Sequence, residues 1–150
     1  MNNTYEKLME FKKKFPGTIS WRLKAHAKVI DKHLNPEEEV QYVFAAQRGL
    51  SSFELFNTYV VAVTNKRILL VQKRILFGYM LVSITPDMFN DLTVASGIIW
   101  GKVIIDTVKE VVTFSNVSKK AIYDIETNVT EMMMREKKKY VKVEKDSTNY

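Results

Sequence analysis

Between residues 40 and 114 the chain carries seven short segments rich in Val, Ile, Thr and aromatic residues, with no helical period between any two of them. They are residues 40–48, 58–64, 67–73, 80–85, 91–95, 102–108 and 110–114. Asn65-Lys66 and Lys109-Glu110 are breaks short enough only for hairpins. A parallel connection needs a crossover of about a dozen residues or more, which these breaks do not supply. The pattern therefore predicts an antiparallel sandwich or barrel. After the last segment, Ala121, Ile122, Ile125, Val129, Met132 and Met133 recur at helical spacing, which predicts one amphipathic helix of about five turns starting at Ser118. Its apolar stripe must be buried, and the open end of the barrel is the nearest surface. The expected class is mainly β with α (α+β), a seven-stranded antiparallel barrel or sandwich capped by a C-terminal helix.

The first 34 residues read differently. Tyr5, Leu8, Met9, Phe11 and Phe15 mark a short amphipathic helix that Pro16-Gly17 breaks. Ser20 is placed to cap a second helix with a stripe of Leu23, Ala27, Ile30 and Leu34. Asn35-Pro36 followed by Glu37, Glu38 and Glu39 predicts one more helical turn, with the acids at its positive end. Beyond Glu136, Lys137-Lys138-Lys139 and the polar terminus predict a frayed tail. The 150 residues suit a single core, and divide into a helical arm (1–34), the β domain (35–136) and a polar tail (137–150).

Three stretches have a family character: Val63-Thr64-Asn65-Lys66-Arg67-Ile68-Leu69-Leu70, Gly97-Ile98-Ile99-Trp100-Gly101-Lys102-Val103-Ile104-Ile105, and Thr113-Phe114-Ser115-Asn116-Val117. Over residues 35–135 the chain resembles the bacterial PH-like family, in its YokE-like form. The resemblance implies a PH-like barrel closed by a C-terminal helix, without known catalytic residues and with no agreed ligand. A shared fold does not by itself establish a shared activity.

Several functions are disfavoured by what the chain lacks. It has no cysteine, which removes disulfides, thiolate metal sites and thiol nucleophiles. There is no G-x-S-x-G, H-E-x-x-H, phosphate loop or dinucleotide fingerprint, so neither an enzyme nor a cofactor is expected. His26 and His33 are the only histidines, and a structural or surface role is expected for them in place of metal ligation. The net charge of +6 sits mainly in the arm, where eight basic residues face three acidic ones, while residues 35–116 carry seven against eight. A nearly neutral barrel argues against a nucleic-acid partner. Without an apolar leader or a stretch long enough to span a bilayer, a soluble cytoplasmic protein is expected.

What remains is binding. The loop of residues 47–57 offers only Arg48 as a cation, too little to grip an inositol phosphate. It does carry Phe53 and Phe56, which with Phe77 and Tyr79 of the next apolar loop form a candidate interaction patch at the barrel rim. The same residues also suit a core beneath the N-terminal helices, and both readings stand. Phe11, Lys12, Lys13, Lys14 and Phe15 form a candidate lipid-contacting arm, with weak contact to anionic membrane. The favoured expectation is a non-enzymatic adaptor whose partner is another protein or a second copy of itself. The alternative is peripheral membrane association through the basic helix.

Overall fold

A computed structural model describes residues 3–49 and 57–148. Among these, helices α1 (Thr4–Lys14) and α2 (Leu23–His33) precede seven strands: β1 (Val40–Arg48), β2 (Thr58–Thr64), β3 (Ile68–Lys73), β4 (Tyr79–Ile84), β5 (Phe89–Ser96), β6 (Trp100–Thr107) and β7 (Val111–Ser118). A 3-10 turn (Lys119–Ala121) leads into α3 (Ile122–Ser147). All strands join one antiparallel sheet in the order β4-β3-β2-β1-β7-β6-β5. β1 meets β7 only at Gln47–Ser115 and Arg48–Phe114. The sheet therefore curls into a half-barrel, and α3 fills its open side with Ile122, Ile125, Val129 and Met133. Gly101 makes that approach feasible, since a Cβ there would lie 2.3 Å from the Ile122 side chain.

Two cores result. Phe44, Val61, Leu70, Phe89, Val103, Ile105 and Phe114 lie inside the curl with α3. On the outside, Val43, Ala45, Val60, Ala62, Leu69 and Val71 present a second apolar face, which Leu8 of α1 and Ala27 and Ile30 of α2 cover. β2 is consequently buried along its whole length. At roughly 25 cal/mol per Å² of apolar surface, leaving that outer face in water would be costly, so the arm is an integral layer of the fold.

The turn before β1 departs from expectation. No helical turn follows Pro36; Glu37 takes a positive φ of 62° and Glu38 turns inward, its side chain fully buried. The physical reason is a better partner than a helix end. Arg67 donates to both carboxylate oxygens, at 2.9 and 3.0 Å, while the Asn35 N–H (2.8 Å) and the Thr64 hydroxyl (2.8 Å) donate as well. Arg67 also reaches the His33 carbonyl (2.9 Å) and the Ser83 hydroxyl (3.2 Å). Burial pushes the Glu38 carboxyl up, but these donors outweigh it and hold it below the usual carboxylate range.

Two further expectations are corrected. Ser20 does not cap α2; Arg22 does, in a left-handed conformation (φ 54°) and with no side-chain cap bond. The segment after Glu136 is not frayed, because α3 runs on to Ser147. No glycine or proline interrupts it, Glu136 pairs with Lys139 at 2.9 Å, and the Lys137 ammonium donates to the Phe89 carbonyl at 2.7 Å.

Replacing Arg67 by Met leaves the Glu38 carboxylate buried without its cation. The expected loss is about 3–5 kcal/mol in urea unfolding, and part of it should return when Glu38→Gln is added. Because the native carboxyl is depressed, the contribution of Glu38 is present at neutral pH and lost as pH falls through the acidic range.

Candidate functional site at the β2–β3 rim

The continuation of the β2–β3 register would set Thr58 opposite Lys73, but pairing stops at Val60–Val71. Beyond that point the strands part and the arm supplies the missing partners. The Lys73 N–H donates to Nδ1 of His26 (2.8 Å), and the Arg22 guanidinium donates to the Lys73 carbonyl (3.2 Å). Across the gap, the Trp21 N–H donates to the Thr58 hydroxyl (3.1 Å). On the Gln72 side chain, the amide nitrogen donates to Asn57 Oδ1 (2.6 Å).

This splay opens a cavity of about 570 Å³, within the ~300–1,000 Å³ range of ligand clefts. Trp21, His26 and the β3–β4 hairpin tip of Ile75, Leu76 and Phe77 form its apolar wall. Arg22, Lys73 and Arg74 supply positive charge, and among the described residues none that lines it is acidic. Ile75, Leu76 and Phe77 are 76%, 81% and 84% exposed, and Trp21 is 53% exposed. Three consecutive large apolar side chains in water beside a cleft mark an interaction surface more strongly than scattered ones do.

His26 is the structural bolt of this site. It is buried, and since Nδ1 accepts a bond from Lys73 the neutral ring is required. Burial first, and then the charge of Arg22, push its pKa down to about 4, against a hydrogen bond to the Trp21 backbone that pulls it up.

Of the candidate patch, Phe77 belongs to the cavity wall. Tyr79 does not line it; it is half exposed, and its hydroxyl lies 2.8 Å from His33 Nε2. Phe53 and Phe56 fall outside the described residues. The reading that placed the second loop beneath the helices as core is overturned for Ile75, Leu76 and Phe77, because α2 sits over β2 and β3 and stops short of the hairpin tip. Arg48, the lone cation of the first loop, is engaged by Glu110 (3.4 Å) and lies over the Tyr59 ring.

The basic helix is also committed inward. Phe11 and Phe15 are buried, Phe11 against Phe44, so neither ring is presented to a membrane. Lys12 donates to the Thr18 carbonyl and Lys14 pairs with Asp124 at 3.1 Å. Trp21, Arg22 and His26 were the residues sequence reading missed as site builders. The available signal was a tryptophan beside an arginine in an otherwise helical arm, and a histidine on the apolar stripe of α2.

A model of the bacterial PH domain family matches residues 34–131. The chain belongs to the bacterial PH domain family. Its match begins after α2, so Trp21, Arg22 and His26 lie outside the matched residues. Among solved structures, a pleckstrin homology domain from Shewanella amazonensis SB2B is similar, with 13% identity, 74% of this chain and 84% of that chain covered, and a TM-score of 0.45. No curated protein matches. No group of His, Asp or Glu among the described residues could hold a metal ion, and none of their helices is long and apolar enough to cross a membrane.

His26 gives this site a pH signature. The unfolded chain takes up a proton near pH 6.5 and the folded one only near 4. Stability from this group is therefore complete above about 6.5 and declines as pH falls toward 4, by about 3 kcal/mol in total. Unfolding midpoints in urea between pH 7 and pH 4.5 should fall more steeply for the native chain than for His26→Gln.

Proposed function

We propose that this bacterial PH domain is a non-enzymatic adaptor that binds another protein at the β2–β3 rim, with the hairpin tip of Ile75, Leu76 and Phe77 as its apolar anchor. The observation that carries the reading is the exposure of those three side chains beside a cleft of ligand size. All three side chains line the cleft and are still more than three-quarters exposed, and an apolar surface that open suits a macromolecular partner better than a small molecule. The PH fold, which generally serves binding, supports it. We place the chain in the YokE-like group on its three motifs, divide it into arm, domain and a polar tail that continues α3, at residues 34 and 136, and take it to act in the cytoplasm.

Membrane association through α1 is less well supported, because its aromatic residues are used in the core and two of its lysines are engaged. That reading would rest on Lys13 and a partly committed charge, short of the apolar anchorage that stable attachment needs.

The test compares the native chain with Leu76→Ser/Phe77→Ser. Exposed positions of this kind change stability by about 0.5 kcal/mol or less, whereas losing two anchors should weaken a partner's binding by roughly tenfold or more. Quantitative affinity capture from the cells that express the protein should show specific partners for the native chain that are depleted for the double variant. Identical sets would remove the rim from the mechanism.

A further inference from the structure

The sheet ends in two free edges, β4 and β5, and they are treated unequally. β5 has a register shift between Phe89 and Asp91, exposes Asn90 and Asp91, packs against α3, and has its Phe89 carbonyl taken by Lys137. Bulges, inward or exposed charges and covering elements are the usual defences of an edge. β4 has no bulge or covering element among the described residues and no charge within the strand, the nearest being the Arg74 guanidinium, which donates to Met80 Sδ at 3.3 Å. Its sequence Tyr79-Met80-Leu81-Val82-Ser83-Ile84 contains no charge and no proline, pairs with β3 without any shift, and leaves Tyr79 and Met80 exposed and Leu81 to Ser83 half exposed.

The direction of its backbone groups follows from register. Arg74 N–H donates to the Gly78 carbonyl at 3.1 Å, which makes 74–78 a bonded pair. Alternation along an antiparallel ladder then makes 72–80, 70–82 and 68–84 bonded pairs. On the other side of β3, the Thr64 N–H to Arg67 carbonyl bond directs Leu69 and Val71 toward β2, the complementary set. Tyr79, Leu81 and Ser83 therefore aim their N–H and C=O groups off the sheet, with no backbone partner among the described residues.

We propose that the partner of this edge is a second copy of the chain, pairing β4 with β4 antiparallel about a two-fold axis at Leu81. That register sets Leu81 against Leu81 and Tyr79 against Ser83 in both directions, so every outward group of the three residues finds a complement. It also matches charge. Lys73 and Arg74 flank the Tyr79 end of β4 and Asp87 flanks the Ile84 end, all outside the strand and Arg74 and Asp87 exposed. Antiparallel pairing brings the basic end of one copy beside the acidic end of the other. A parallel arrangement would set like charges together. The backbone pairing lies on the edge, while Lys73 and Arg74 are shared with the rim cavity, and the tests read self-association and not the rim partner.

The test uses the absence of cysteine in the chain. Paired residues across such a two-fold have Cα atoms about 5.5 Å apart, inside the ~4.4–6.8 Å span of a disulfide. Leu81→Cys under mild oxidation should give a covalent dimer, and Ile98→Cys, at an exposed position of the β5–β6 turn, should not. Light scattering on the native protein should show a mass rising with concentration from 17.5 kDa toward twice that value. Met80→Lys, which puts a charge at the pairing surface, should return it to monomer with an unchanged circular dichroism spectrum. Leu81→Pro should do the same, since it deletes an N–H that makes no bond within the sheet. A native protein that stays monomeric at its highest soluble concentration would overturn the proposal. So would a dimer that Met80→Lys leaves intact, or an Ile98→Cys variant that crosslinks as readily as Leu81→Cys.

Discussion

The bidentate pair between Arg67 and Glu38 is the interaction on which the assembly of this fold turns. A buried ion pair is seldom a net source of stability, because removing both ions from water costs nearly as much as their attraction returns. Its value here lies in where its ends are. One guanidinium joins the end of α2 through the His33 carbonyl, the start of β1 through Glu38, its own hairpin, and β4 through Ser83. The His33–Glu38 turn, the hairpin of Arg67 and β4 can satisfy that guanidinium together only in the native arrangement. The hairpin stretch Thr64-Asn65-Lys66-Arg67 that carries the family resemblance is thus also the stretch that fixes the arm to the sheet.

The arm turns this framework into something with a surface. By covering the outer face of β1 to β3 it buries those strands on both sides. By taking the backbone groups of Lys73 that would otherwise pair with Thr58, it holds β2 and β3 apart at one end. Cleft, cations and exposed hairpin tip all follow from that separation. The positive φ of Arg22 belongs to the same geometry, strain of the kind that collects at functional sites.

Much of this was legible in the residues. The first four strands came out within a residue at each end because β-branched runs and tight breaks leave little choice, the last three depart by two to four residues at one end, and the stripe of Ala121 to Met133 located α3. The fully apolar run Tyr59-Val60-Val61-Ala62-Val63 also carried a hint that both faces of β2 are covered, since a half-exposed strand would alternate. Other features were beyond local pattern. Glu38 sits in a row of three glutamates that reads as a helix start, and only its closeness to Arg67 in space, not in sequence, singles it out. The role of His26 depends on a strand register that stops two pairs early. The continuation of α3 past Glu136 was masked by a lysine run that looks like a tail and proves to be a solvated helix.

The central claim is that the arm and the family domain are one cooperative unit, with the rim built by both. Thermal unfolding of residues 35–150 alone, followed by circular dichroism beside the full chain, tests it most directly. With the outer apolar face uncovered and Arg67 deprived of the His33 carbonyl, the shortened chain should lack a cooperative transition. A cooperative transition within about 5 °C of that of the full chain, a shift no larger than that of a single mild substitution, would show that the arm is an accessory and contradict the account.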